Sequence, residues 1–293
     1  ELREMLRQRI HGDVVSCSAV ISACEKSGQW IWALHFFTLM SQLGITPNVI
    51  SYSAMISSCE KALQWQLGLH IFYQMSDDRI TPDVFSYSAA ISSCEKAGRW
   101  QLALLLFQDL RSHGAPNVVS FNAALSSCEK GGQWQLALHI LMIGFVADRL
   151  QPDVISYSAA ISSCETEGQW RKALHLFHLM KHAELLPDVI SYNAAISSCE
   201  KGSQWHLACH FLSSSSCANV ISYNSAISSC AKASAWQVAM QLVSHAMPHQ
   251  GIRPNLLTAT ELSNALIAAG QLRLGLQALS AVQLPSQLKP QTK

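Results

Sequence analysis

One stretch of sequence is written seven times in this chain, and that repetition limits the fold more than any other property. The copies begin at Val14, Val49, Val84, Val118, Val154, Val189 and Val220, at spacings of 35, 35, 34, 36, 35 and 31 residues, and a degenerate copy follows from Leu256, 36 residues on. A period of this length is that of helix-pair solenoids, in which each repeat stacks on its neighbours instead of surrounding one central core. The units are therefore 14–48, 49–83, 84–117, 118–153, 154–188, 189–219 and 220–255. Residues 1–13 read as the end of an upstream repeat, and 256–293 as a degenerate terminal repeat or cap.

Within the unit from Val154, Tyr157, Ile161 and Cys164 recur at helical spacing, and Trp170, Ala173, Leu174, Phe177 and Met180 form a second apolar stripe. Two amphipathic helices per unit follow. Gly168 sits between the stripes, where a helix ends on a residue tolerating positive φ, as do Gly28, Gly98 and Gly132; Leu63, Ser203 and Ser234 depart from this. Pro47, Pro82, Pro116, Pro152, Pro187 and Pro254 close the second turn, because proline disfavours helix in the residue before it. The expected fold class is all-α, an α-solenoid of tandem helix-turn-helix repeats.

The other recurring residues read as packing. Cys24, Cys59, Cys94, Cys128, Cys164, Cys199 and Cys230 fall one per unit with no CxxC pair, so they cannot converge as four zinc ligands and read as small buried apolar residues. Trp30, Trp65, Trp100, Trp134, Trp170, Trp205 and Trp236 open the second stripe and read as core. His35, His70, His139, His175 and His210 lie on successive layers, so neither a metal nor any cofactor is expected. Lys and Arg total 20 against 19 Asp and Glu, a formal charge of +1, so no strong field draws a polyanion from a distance. No apolar run reaches the length of a membrane span.

The order V(V/I)SY(S/N)xxISSCEKxGQW, then xxALxxF and a closing PD or PN, resembles the pentatricopeptide repeat family, in tandem units like those of its P type. The resemblance implies a right-handed superhelix whose first helices line a groove for single-stranded RNA, one base per repeat. In that family the fifth and last residues of a unit read the base. Here these are Ser18 with Asn48, Ser53 with Asp83, Ser88 with Asn117, Asn122 with Asp153, Ser158 with Asp188, Asn193 with Asn219, and Asn224 with Asn255. The second residues, Val15, Ile50, Phe85, Val119, Ile155, Ile190 and Ile221, would sandwich the base; otherwise they are ordinary core residues. Lys26, Lys61, Lys96, Lys130, Lys201 and Lys232 end the first helices, where a cation offsets the helix dipole and, in the family, approaches phosphate. The family's habits also imply organellar RNA processing, stabilisation, editing or translation in chloroplast or mitochondrion, with protein partners in an RNA-processing complex.

Hydrogen-bond chemistry adds a preference. Asp only accepts and suits the ring N–H of guanine or uracil, whereas Asn also donates and suits adenine or cytosine. A short Ser at the fifth position leaves room for a purine, while Asn reaches a pyrimidine. The seven repeats then spell AGAUGYY, Y being a pyrimidine. Asp and Asn are also among the best helix N-caps, so capping alone would produce the same choice at the last position. The rival reading is a protein-binding scaffold like the tetratricopeptide solenoids. No nucleophile, general base or phosphate loop stands outside the repeats, and the tail from Leu256 to Lys293 has no HxE or CxxC signature, so the chain is expected not to be an enzyme.

Overall fold

A computed structural model describes residues 13–271 except 216, together with residue 274; the expected upstream repeat end and most of the tail lie outside the described residues. Contacts group the chain into two units, Glu1–Gln151 and Pro152–Lys293. The first holds α1 (Val14–Lys26), α2 (Trp30–Gln42), α3 (Val49–Lys61), α4 (Trp65–Asp77), α5 (Val84–Lys96), α6 (Trp100–His113), α7 (Val118–Lys130) and α8 (Trp134–His139). The second holds α9 (Val154–Thr166), α10 (Trp170–His182), α11 (Val189–Lys201), α12 (Trp205–Ser214), α13 (Val220–Lys232), α14 (Trp236–Gln241) and α15 (Leu256–Ala268). All regular elements among the described residues are helical, and none is long and apolar enough to cross a membrane.

Odd-numbered helices are the first of each repeat and even-numbered ones the second. In one unit α1, α3, α5 and α7 pack in series; in the other α9, α11, α13 and α15 do the same. A second helix lies against its own first helix and the first helix of the next repeat in its unit. This tandem stacking of helical hairpins is the expected α-solenoid.

The recurring residues explain the stacking. Ala33, Ala103, Ala137, Ala173, Ala208 and Ala239 are fully buried, small enough for helices to close up. Gly68 holds the same place in the second repeat, and a Cβ built there would lie 3.4 Å from both Cys59 Cβ and Ser93 Oγ. One turn further along, a phenylalanine meets the aromatic ring at the fourth position of the next repeat: Phe37 on Tyr52 and Phe72 on Tyr87 at 4.9 Å, Phe107 on Phe121 at 4.8 Å, Phe177 on Tyr192 at 5.1 Å. These are edge-to-face contacts, which add to area burial. Cys59, Cys94, Cys128, Cys164 and Cys199 are buried, and burial pushes their thiols up to about 11 or 12, as suits inert packing residues.

The tryptophans differ from expectation. All seven are half-buried, because each opens its second helix at the edge of the layer. Two press on the turn of the following repeat: a Cβ on Gly131 would come within 2.5 Å of the Trp100 ring, and one on Gly202 within 2.6 Å of the Trp170 ring. They seal neighbouring layers and are not the centre of the core.

Unequal repeat lengths are absorbed in the second helices and their turns. The two 36-residue units are those in which the second helix opens into a π turn, Ile140–Gly144 after α8 and Leu242–Ala246 after α14, as one inserted residue requires. In the 34-residue unit α6 ends on Gly114 in extended conformation (φ −140°), without the left-handed residue found at Gly44, Arg79, Arg149, Glu184 and Gly251.

The turn between paired helices needs positive φ even where glycine is missing. Leu63, Ser203 and Ser234 adopt φ of 58°, 54° and 58°, beside 69° at Gly28 and 68° at Gly98. Left-handed backbone costs a residue with a Cβ on the order of 1 kcal/mol, and the Leu63 side chain is 63% exposed, so its removal forfeits little packing. Leu63→Gly is expected to stabilise the chain by about 0.5 kcal/mol in urea or thermal unfolding. A measured loss of stability would contradict the turn geometry.

Candidate functional site

Each first helix starts on the last residue of the repeat before it. Asn48, Asp83, Asn117, Asp153, Asp188, Asn219 and Asn255 are extended N-cap residues. Their Oδ1 atoms accept from the backbone N–H three residues on, at Ser51 (2.9 Å), Ser86 (2.8 Å), Ser120 (2.9 Å), Ser156 (2.9 Å), Ser191 (2.8 Å), Ser222 (3.0 Å) and Thr258 (2.9 Å). At Asn48, Asn117, Asp153, Asn219 and Asn255 the hydroxyl of that third helical residue also accepts from the cap's own N–H, closing a capping box.

The cap determines which atom is left over. A backbone N–H can only donate, so the amide of a capping Asn must turn its oxygen inward and its Nδ2 outward. Among the described residues the outer atom carries no bond at six of these caps: Nδ2 of Asn48, Asn117, Asn219 and Asn255, and Oδ2 of Asp83 and Asp188. A donor or an acceptor is thus presented at each of these six layers, chosen by the identity of the cap.

The fifth residues come to the same place. Ser18, Ser53 and Ser158 lie 3.4, 3.2 and 3.3 Å from the Oδ1 atoms of Asn48, Asp83 and Asp188, and each sits 2.8 Å from the hydroxyl of the third helical residue, Ser51, Ser86 or Ser191. Asn193 Oδ1 accepts from Ser222 at 2.5 Å; Asn224 Oδ1 accepts from Thr258 at 2.6 Å, while its Nδ2 donates to Asn255 at 3.4 Å. Five of the seven pairs named from the sequence therefore meet directly or through one hydroxyl. Ser88 bonds only Val84 O of its own helix among the described residues, and Asn122 and Asp153 fall in different units. The serine hydroxyls also donate to their own helices, at Val14, Val49, Val84 and Val154 O, and Ser18, Ser88 and Ser158 are buried.

The second residues stand against the core reading. Val15, Ile50, Phe85, Val119, Ile155, Ile190 and Ile221 are between 57% and 72% exposed, all at one register, beside the caps. Leu257 extends the row into α15. In the first unit Ile50, Phe85 and Val119 border a groove of about 440 Å³ that also takes in Ser53, Asp83 and Ser88.

The lysines are engaged. Lys61, Lys96, Lys130, Lys201 and Lys232 pair with Glu25, Glu60, Glu95, Glu165 and Glu200 of the preceding repeat at 2.6 to 3.0 Å. Ser57, Ser197 and Ser228 donate to three of the same carboxylates. Each of these glutamates thus acts across layers, so phosphate would have to compete for these five lysines; no ion pair is seen for Lys26 among the described residues. Among the described residues no cluster of His, Cys, Asp or Glu could hold a metal ion.

Sequence reasoning passed over the third residue of each unit, Ser16, Ser51, Ser86, Ser120, Ser156, Ser191, Ser222 and, in the degenerate copy, Thr258. All but the exposed Ser16 are buried, and each bonds the cap before it. The signal was a hydroxyl at a fixed offset in every copy, V-x-S in the seven full units and Thr258 in the degenerate one.

Comparison with known proteins agrees with this geometry. Family profiles match residues 12–61 and 152–201 ("PPR repeat family"), 70–131 ("Pentatricopeptide repeat domain") and 50–80 ("PPR repeat"). Among curated proteins no sequence match is found. The crystal structure of the pentatricopeptide repeat protein PPR10 from maize superposes with a TM-score of 0.54 at 18% identity, over 96% of this chain and 50% of that one. PPR10 in complex with an 18-nt psaJ RNA element gives 0.52 at 18%, over 96% and 51%. The PPR domain of Arabidopsis thaliana protein-only RNase P 1, in complex with tRNA, gives 0.52 at 14%, over 59% and 91%. The chain spans about half the length of the maize protein.

Because Ile155 is exposed and Ile161 fully buried on the same helix, the two should respond differently to a polar replacement. Ile155→Ser is expected to change unfolding stability by less than about 0.5 kcal/mol, and Ile161→Ser to cost at least about 2 kcal/mol. Equal losses would mean that the row is part of the core.

Proposed function

The chain belongs to the pentatricopeptide repeat family, and on that premise we propose that it binds single-stranded RNA sequence-selectively, one base per repeat. One observation carries the reading: an exposed apolar side chain recurs at each layer, and at six of the caps beside that row the outer atom is left to donate or accept. A monomeric solenoid has no packing reason to leave seven large apolar side chains at one register in water. Bases have two apolar faces and a polar edge. Two successive aliphatic side chains can hold the faces, while Nδ2 or Oδ2 meets the edge. Stacking of this kind is worth about 1 to 3 kcal/mol per base and tolerates any base, so selectivity falls to the cap atom.

In this reading the second residues, Val15 to Ile221, hold the base and the last residues choose it, Oδ2 favouring guanine or uracil and Nδ2 favouring adenine or cytosine. Ser at the fifth position acts mainly by its small size, its hydroxyl being used within the helix. Asn193 and Asn224 are longer and favour the smaller pyrimidines. The expected preference is AGAUGYY. Lysines held in ion pairs supply little free charge, so affinity rests on stacking and hydrogen bonds with a shallow salt dependence. The RNA-bound structures of similar fold support the RNA-binding part of this reading; that the chain acts in RNA processing, stabilisation, editing or translation in chloroplast or mitochondrion, as a binder and not a catalyst, is our proposal from the family's habits.

A gel-shift assay with single-stranded RNA carrying AGAUGYY, beside a scrambled control, is expected to show at least tenfold preference, one decade being about 1.4 kcal/mol. Asp83→Asn should move the preference at the second base from G toward A, and Phe85→Ala should weaken binding to every sequence by roughly tenfold. Equal or absent binding of the two RNAs would favour the protein-scaffold alternative.

A further inference from the structure

The sixth repeat has 31 residues, and its α12 has 10 where α10 has 13. Its cap joint is intact, since Asn193 Oδ1 accepts from Ser222 at 2.5 Å. Two partners are nevertheless missing where it meets the seventh repeat. The first is a ring. Elsewhere a phenylalanine packs edge-to-face on the aromatic ring at the fourth position of the next repeat, as Phe177 does on Tyr192. In the sixth repeat Leu212 stands in the phenylalanine's place, and Tyr223 has no ring contact among the described residues. The second is a hydrogen-bond acceptor. Tyr52 donates to Asp78, Tyr87 to Asp109 at 2.6 Å and Tyr192 to the carbonyl of Ser214 at 3.3 Å, each acceptor lying toward the end of the second helix of the same repeat. Tyr223 is only 4% exposed, yet among the described residues its hydroxyl bonds nothing.

Tyr223 borders a cleft of about 670 Å³, together with the apolar side chains of Leu212, Val238 and Leu242 and the exposed His245 and His249. That volume is within the range of small-ligand sites, about 300 to 1,000 Å³. The two histidines stand where other repeats place the acceptors: His245 has the register of Asp109, and His249 that of Asp78. A ring N–H of histidine donates to an anion, and no acidic side chain borders the cleft among the described residues. Burial raises the Tyr223 phenol above its usual range, which keeps it a donor. Tyr157 also lacks a partner among the described residues, but it is half-buried, and Leu179 and Ala183 stand at the two positions that the histidines fill in the seventh repeat.

We propose that this cleft binds a small aromatic carboxylate. Its carboxylate does for Tyr223 what Asp78 and Asp109 do for Tyr52 and Tyr87, accepting from the phenol and also from His245 or His249. Its ring lies against Tyr223 in the space that Leu212 leaves where other joints hold a phenylalanine. The ligand thus supplies both missing partners at once and fastens the sixth repeat to the seventh, away from the caps.

The test is isothermal titration calorimetry of the full chain with naphthoate, which is expected to bind at one site and saturate it below millimolar concentration. Its methyl ester keeps the ring and loses the charge, and should bind at least about tenfold more weakly. Decalin carboxylate keeps the charge and loses the aromatic ring, and should bind several-fold more weakly. Three variants borrow residues from other repeats and so should fold. Tyr223→Phe, matching Phe121, removes the phenol, and His245→Asp, matching Asp109, supplies the acceptor internally; each should weaken naphthoate by at least about tenfold. Leu212→Phe, matching Phe177, should fill the ring's place, block binding and raise the unfolding temperature. No binding of naphthoate to the wild type, equal binding of acid and ester, or undiminished binding to Tyr223→Phe and His245→Asp would overturn the proposal.

Discussion

The repeat depends on one hydrogen bond, from the third backbone N–H of each first helix to the Oδ1 of the last residue of the repeat before. It satisfies one of the donors that a helix start leaves unpaired, and it does so with a side chain from the preceding unit. The same Oδ1 receives the hydroxyl of the third residue, and that hydroxyl reaches back to the fifth residue of the preceding first helix. A cap that elsewhere would be local therefore fastens one layer to the next. It also orients its own amide or carboxylate, so that stability and recognition draw on different atoms of one side chain.

Around that joint the layers are tied at three depths. Edge-to-face aromatic pairs and close alanine contacts fill the interior. At the other end of the first helices, five glutamates meet the lysine of the next repeat. These pairs are partly exposed, so each contributes at most about 1 kcal/mol, and their larger effect is to neutralise the surface at the C-terminal ends of the first helices. Tryptophans close the edge against the next turn. Variation in unit length is confined to the second helices, as π turns, a truncated turn or a shortened helix, which leaves the caps in register.

Much of this was legible. Helix pairs follow from two apolar stripes per unit, and the turns from Gly28, Gly98, Gly132 and Gly168. What could not be read were distinctions between chemically alike alternatives. A Val or Ile near a helix start suits a core or a groove equally, and only its measured exposure separates them. Trp reads as core because it is large and apolar, yet its place on the first residue of a helix keeps it at the edge. The lysine partners lie about 36 residues away, a separation visible only once layers are stacked. Leu63, Ser203 and Ser234 show the converse: the turn imposes left-handed backbone whatever the residue prefers. For the candidate site, the pairing of fifth and last residues came from the family resemblance, and the structure adds the buried third hydroxyl that joins them.

The central claim is that the last residue of a unit caps with one atom and selects a base with the other. Serine caps about as well as Asp but has no second polar atom to turn outward. Asp188→Ser therefore separates the two roles, and the measurement is a pair of readings on one variant: unfolding stability, and the preference for G over A at the fifth base of AGAUGYY RNA. The account predicts stability unchanged within about 0.5 kcal/mol and the preference at that base alone abolished. Retained preference, with or without a loss of stability, would show that Asp188 is a cap and nothing more.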